Sequence, residues 1–199
     1  MNILHINSSI QGERSHSSRF ADLIVERLRS QYPDAKITFR DIGSQPLPLL
    51  DPAAVGALFT PADKRTPEQA ARVAQGDAII AELQAADTVV LGIPMYNLGI
   101  PVQFKSWIDA IFRAGVTFRY TATGPEGLIK GKKVYVALSR GGVYRDTPLD
   151  AHTHYLKTAL GFLGMTDLQF VFGEGVSMGE EGLRKANENV IAQVAALKV

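Results

Sequence analysis

Thr88 to Ile93 is an unbroken apolar run of strand length, and a strand with no polar face has to be covered on both sides. It runs into Pro94-Met95-Tyr96-Asn97-Leu98-Gly99-Ile100-Pro101, where two prolines and a glycine break the pattern. Pro101 to Ala114 then sets Phe104, Trp107, Ile108, Ile111 and Phe112 at helical spacing. A buried strand that leaves through a loop into a helix is the repeating unit of a parallel α/β sheet. The chain repeats that unit along its length.

Asn2 to Asn7 predicts a first strand. A helix follows, capped by a hydroxyl near Ser15 and carrying Phe20, Leu23, Ile24 and Leu28 on one face until Tyr32-Pro33-Asp34 stops it. Lys36 to Asp41 predicts a second strand, less buried than the first. Thr66-Pro67-Glu68 opens a helix that runs to about Ala86, with Val73, Ile79, Ile80 and Leu83 as its apolar positions. Beyond the central unit come a strand at Lys132 to Leu138, a helix at His152 to Leu163, a strand at Leu168 to Phe172 and a closing helix at Glu180 to Leu197.

Strands and helices in this alternation predict a five-stranded parallel sheet with helices on both faces, a three-layer sandwich. Right-handed crossovers make the flavodoxin-like strand order 2-1-3-4-5 the natural arrangement. The 199 residues are expected to form one domain, 1–199. Two segments stand outside the alternation. Gly43 to Pro67, with Pro46, Pro48, Pro52, Pro61 and Pro67, is too long for a plain connection and reads as a lid, an interface segment or an irregular short-helix region. Residues 116–128 alternate around a Thr123-Gly124-Pro125-Glu126-Gly127 turn, which suits a hairpin-like excursion.

Composition removes several function classes. A net charge of +1 offers no general attraction for nucleic acid or an anionic membrane. With no cysteine there is no disulfide framework, thiolate metal site or cysteine nucleophile. The start of the chain turns polar too soon for a signal peptide, and no apolar run approaches a membrane span, so a soluble cytoplasmic protein is the expectation.

Three loops are expected on one edge of the sheet: residues 8–18, 94–100 and 139–144. The first offers Ser8, Ser9, Ser15, Ser17 and Ser18 at a helix N-terminus, which suits a phosphate or merely a well-capped helix. The second offers Tyr96 and Asn97. The third offers Gly141-Gly142, where backbone could approach a flat ring that a Cβ would obstruct. Together they have the layout of a mononucleotide site.

Other patterns carry less. The dinucleotide fingerprint is missing after the first strand, and Gly173-Glu174-Gly175 lacks its third glycine. Gly175-Val176-Ser177-Met178-Gly179 fits GxSxG, but neither Asp nor His follows it, so the hydrolase order cannot be completed and Ser177 is expected to cap a helix. His152 and His154 would stand about 200° apart on a helix, the wrong spacing for a shared metal, and are expected at the surface. Asp109, Asp146 and Asp150 are expected to be solvated or capping. Arg140 and Arg145 could meet a phosphate or could be plain surface arginines.

Four stretches carry a resemblance: Pro94-Met95-Tyr96-Asn97; Arg113-Ala114-Gly115-Val116-Thr117-Phe118-Arg119-Tyr120-Thr121; Gly124-Pro125-Glu126-Gly127-Leu128; and Ser139-Arg140-Gly141-Gly142. In these the chain resembles the FMN-dependent NADH-azoreductases, nearly end to end. The resemblance implies a homodimer with one non-covalent FMN per subunit and an active site completed by the partner chain. It implies that Ser9, Ser15, His16 and Ser17 hold the phosphate. Met95, Tyr96, Asn97 and Leu98 would frame the isoalloxazine, with Ser139, Arg140, Gly141 and Gly142 closing its other side. Phe59, Tyr120 and Phe162 become candidates for the substrate slot. Leu98 stands where relatives often have phenylalanine, and Phe59 where some have a basic residue. The implied reaction is ping-pong: NADH or NADPH reduces the flavin, which then reduces a flat quinone or azo acceptor. The alternatives are a non-enzymatic FMN electron carrier and an FAD-binding quinone reductase.

Overall fold

A computed structural model describes residues 1–199. Its main sheet comprises β1 (Asn2–Asn7), β2 (Lys36–Asp41), β3 (Thr88–Pro94), β6 (Lys133–Arg140) and β7 (Asp167–Glu174), all parallel, in the order β2-β1-β3-β6-β7. That is the 2-1-3-4-5 order expected. The short strands β4 (Phe118–Thr121) and β5 (Gly124–Gly127) pair antiparallel as the expected hairpin. The helices are α1 (His16–Gln31), α2 (Pro52–Phe59), α3 (Pro67–Ala85), α4 (Val102–Ile111), α5 (Ala151–Phe162) and α6 (Gly179–Ala195). None is long and apolar enough to cross a membrane.

Period-two alternation divides the sheet into two packed faces. Ile3, Val90, Tyr135, Ala137 and Val171 meet Phe20, Ile24 and Leu28 of α1 and Val190 and Val194 of α6. Their neighbours Leu4, Ile6, Val89, Leu91, Ile93, Val134, Val136 and Leu138 meet α3, α4 and α5 through Ile79, Leu83, Phe104, Trp107, Ile111, Leu156 and Leu160. β3 is buried along its whole length, as its unbroken apolar run demands, whereas edge strand β2 has no fully buried residue.

Gly92 brings the site together. A Cβ there would stand 2.5 Å from Asn7 Oδ1, 3.0 Å from Ser17 O and 3.2 Å from the Ala21 Cβ. Only glycine lets the first turn of α1 lie this close to the centre of the sheet. The proline-rich segment holds α2 and a 3-10 turn at Ala62–Lys64, the irregular short-helix form among those anticipated. Two element ends differ from expectation in ways that affect the site. β6 continues through Ser139 and Arg140, and α4 stops at Ile111, before Phe112 and Arg113.

Candidate functional site

The three loops do open on one edge, because the register sets Asn7 beside Gly92 and Pro94 beside Ser139. Cross-links then join them. The Ser9 and Tyr96 hydroxyls are 3.1 Å apart, the Ile10 amide donates to Tyr96 OH at 3.2 Å, and the Met95 amide donates to Ser139 O at 2.8 Å.

In the first loop Ser15 is the N-cap of α1, and its Oγ accepts from the Ser18 amide at 3.1 Å. The Ser15 and Ser17 hydroxyls stand 3.2 Å apart, and Ser9, Ser15 and Ser17 are all buried. The amides of His16 and Ser17, at the positive end of the helix, have no acceptor in the chain. Buried hydroxyls beside free amides form an anion cradle. The neighbouring cleft, of about 210 Å³, is lined by Ser9, Ser15, Ser18 and Arg19 but also by Glu13, Asp22 and Asp41. Asp41 is engaged by Gly43 and Ser44, so the part that favours an anion is the hydroxyl and amide end. Arg19 donates to His16 Nδ1 at 2.7 Å; burial and then the Arg19 charge hold that imidazole below its ordinary range, hence neutral. Sequence reasoning missed Arg19, although its position three residues after His16 places both on one helical face.

The second loop is a two-residue turn closed by reciprocal backbone bonds between Tyr96 and Gly99, both 3.0 Å. Asn97 and Leu98 hold it with φ of 48° and 67°, the left-handed conformation that hairpin turns of this kind require. Both are exposed at the loop tip.

The third loop is pinned from behind. The amides of Val176, Ser177 and Gly175 donate to the carbonyls of Arg140, Gly141 and Gly142 at 3.1, 3.1 and 3.0 Å. The amides of Gly141, Gly142 and Val143 take no acceptor in the chain. This strip therefore has three free amides while the Gly141 and Gly142 carbonyls are engaged, which fits the electron-rich pyrimidine edge of a flavin.

Several expectations need correction here. Arg140 belongs to β6, and by alternation its side chain falls on the α5 face with Val136 and Leu138. Its guanidinium is fully buried, bonded to Asp150, Thr153 and Glu174, so the side chain is held away from any phosphate and Arg140 can border a flavin only through its backbone. Asp150 caps α5 and pairs with Arg140; burial opposes its ionisation, but the bonds from Arg140 and Thr153 prevail and hold its pKa below the ordinary range. His152 is buried, not at the surface, and neither ring nitrogen has a partner in the chain. Ser177 does not cap α6; Met178 holds that position without a side-chain bond. A Cβ on Gly141 would point at Ser177 Oγ, 3.1 Å away. Arg145 stacks on the Phe172 ring at 4.5 Å and pairs with Asp146.

The three slot candidates separate. Phe162 stacks on Phe112 at 5.5 Å and meets Phe118 edge-on at 5.1 Å, as part of the aromatic packing under the hairpin. Tyr120 touches the same group through Phe118 at 5.7 Å but is 76% exposed. Phe59, at the end of α2, is 85% exposed and stands apart from that cluster.

The sheet order and the phosphate-suited first loop define a class, and the family model for the flavodoxin-like fold matches residues 1–197. The relatives narrow it. The chain is 63% identical to an FMN-dependent NADH:quinone oxidoreductase of Aromatoleum aromaticum over 94% of each protein. It is 58% identical to one of Dechloromonas aromatica over 99% of each. The crystal structure of an azoreductase from Bacillus anthracis superposes with a TM-score of 0.86 at 29% identity, over 98% of this chain and 96% of that one. This chain belongs to the FMN-dependent NADH:quinone oxidoreductase family.

Proposed function

We propose that the chain, as one domain spanning 1–199, binds FMN without a covalent bond and uses NADH or NADPH to reduce quinones and azo compounds. The observation that carries this reading is the strip of free amides at Gly141 to Val143, set across the sheet edge from the hydroxyl and amide cradle of the first loop. One end fits a phosphate and the other a flat, electron-rich heterocycle.

Bound FMN supplies two-electron hydride chemistry between a nicotinamide and the acceptor, in ping-pong order. The protein's part is binding and electrostatics. Ser9, Ser15 and Ser17, with the His16 and Ser17 amides, hold the phosphate. Met95, Tyr96, Asn97 and Leu98 frame the ring on one side. The free amides beyond Ser139 face the pyrimidine edge and stabilise negative charge that grows there on reduction. His16 takes part through its amide, since its imidazole is engaged with Arg19.

A second copy of the chain is part of this reading. Phe59, Tyr120 and Val143 are large apolar side chains, 85%, 76% and 63% exposed, and a partner would cover them. We infer a homodimer whose interface borders the acceptor slot, with Phe59 and Tyr120 in the slot and Phe162 supporting Phe118 behind it.

The visible spectrum of the purified protein tests the proposal. The expected protein is yellow, releases FMN, is bleached by NADH and is recoloured by a free quinone. A colourless protein that fails to bind added FMN overturns it. Bleaching that needs a second protein points instead to an electron carrier.

A further inference from the structure

We propose that Glu174 is a positioning residue that holds the glycine loop in the shape FMN meets. This rests on the reading that residues 139–145 border the flavin. Glu174 ends β7, directly beside Arg140 of β6 in the sheet register. A single carboxylate oxygen, Oε1, collects three donors: Arg140 Nη1 at 3.2 Å, the Tyr144 amide at 2.8 Å and the Arg145 amide at 2.9 Å. The loop therefore bends around one atom. From the other side Arg140 Nη2 donates to Asp150 at 2.7 Å and to Thr153 at 2.6 Å, so the guanidinium ties β7 to the start of α5 through β6.

The backbone bonds from Gly175, Val176 and Ser177 fix only the first half of the loop, at Arg140, Gly141 and Gly142. Past Gly142 the amides of Tyr144 and Arg145 have Glu174 as their anchor, while Thr147 holds the Tyr144 carbonyl. If that anchor is lost, the Tyr144 and Arg145 amides lose their acceptor and the Gly142–Val143 amides lose the constraint that sets their direction. Preorganised donors are what a charged ring edge requires, so the consequence is weaker flavin binding. Tyr144 follows too: its hydroxyl and ring lie about 3.0 Å from where a Gly142 Cβ would stand.

Because all three donors converge on Oε1, reach and charge can be separated. Glu174→Gln keeps a carbonyl oxygen at the same distance along the side chain and loses the charge. Glu174→Asp keeps the charge and draws the oxygen back by one methylene, away from the amides. Asp150 remains paired with Arg140 in both variants, so neither strands a buried cation.

The test is FMN titration of the deflavinated full-length protein, followed by flavin fluorescence quenching, with amide hydrogen exchange read at Tyr144 and Arg145. Glu174→Gln is expected to bind FMN within about threefold of wild type, and Glu174→Asp about tenfold or more weakly. Exchange at the two amides should be faster in Glu174→Asp than in Glu174→Gln. Tighter FMN binding by Glu174→Asp than by Glu174→Gln would show that charge matters and reach does not, and would overturn the proposal. Wild-type protein that binds no FMN would overturn the flavin reading itself. Wild-type binding with the variant order reversed overturns only the role given to Glu174.

Discussion

The hydroxyls of Ser9 and Tyr96 stand 3.1 Å apart, joining the loop after β1 to the loop after β3. Tyr96 OH also accepts from the Ile10 amide, and Ser9 Oγ accepts from the Gln11 amide, both at 3.2 Å. One phenol thus holds the phosphate-suited loop against the loop proposed to frame the ring. Tyr96→Phe leaves the Ile10 amide without its acceptor and should cost about 1 kcal/mol of stability. FMN affinity should fall several-fold with it. Denaturant unfolding and flavin titration of the variant check both numbers.

Leu98 holds a φ of 67°, and the left-handed conformation costs a residue with a Cβ about 1–2 kcal/mol. Asn-Gly is the sequence that such a turn favours. Leu98→Gly should therefore stabilise the flavin-free protein by about 0.5–1 kcal/mol, the relief of strain being offset in part by greater freedom of the unfolded chain. The flavin-loaded protein should gain less, because the variant also removes a side chain proposed to wall the ring. Urea unfolding with and without FMN measures the two gains. A loss of stability in the flavin-free form would mean that the Leu98 side chain packs within its own subunit.

How far the sequence reached is clearest at β6. The strand and its neighbours were legible because alternation assigns Val134, Val136 and Leu138 to one face and Tyr135 and Ala137 to the other. The first loop was legible because a hydroxyl N-cap before a periodic apolar face is a local signal, and Ser15 is that cap. A strand ended at Leu138 leaves Arg140 in the loop, two residues short of the true end of β6. Carried on to 140, the same alternation turns its side chain inward. Its partner Glu174 lies 34 residues away, and only the sheet register brings the two together. His152 also departs from expectation through its place on an element. Its spacing to Leu156, Ala159 and Leu160 puts it on the buried face of α5, a pattern that the comparison with His154 alone does not reveal.

That burial has a pH consequence. Removal from water, reinforced by the Arg140 charge and opposed by Asp150, lowers the His152 pKa from its ordinary value to about 4. At neutral pH the ring is uncharged whether folded or unfolded. As the pH falls below the unfolded value, the unfolded chain takes up a proton that the folded one refuses, so stability is lost between about pH 6.5 and 4. At about 1.4 kcal/mol per unit the loss totals roughly 3 kcal/mol. His152→Leu should flatten this part of the stability profile. Urea unfolding at pH 7 and pH 4.5 should show a difference smaller by about 2 kcal/mol in the variant. An unchanged difference would place the acid sensitivity elsewhere, for instance at His5, which burial also holds below its ordinary range.

Gly141 is expected to be a glycine so that a flat ring can approach it, and the geometry adds a second reason. A Cβ there would stand 3.1 Å from Ser177 Oγ and 3.4 Å from Ser177 Cβ, so the turn before α6 constrains the position as well. Gly141→Val should cost about 1–3 kcal/mol by overpacking against that turn. It should loosen flavin binding through the same displacement, because Gly141 O and the Ser177 amide are bonded at 3.1 Å. Ser177→Gly removes the obstructing side chain and keeps that amide. In the double variant at least half of the lost stability and most of the lost FMN affinity should return, a coupling of about 1 kcal/mol between adjacent sites. Recovery of stability without recovery of FMN binding would mean that the valine obstructs the ring directly. The glycine would then serve the ligand after all, and the turn only incidentally.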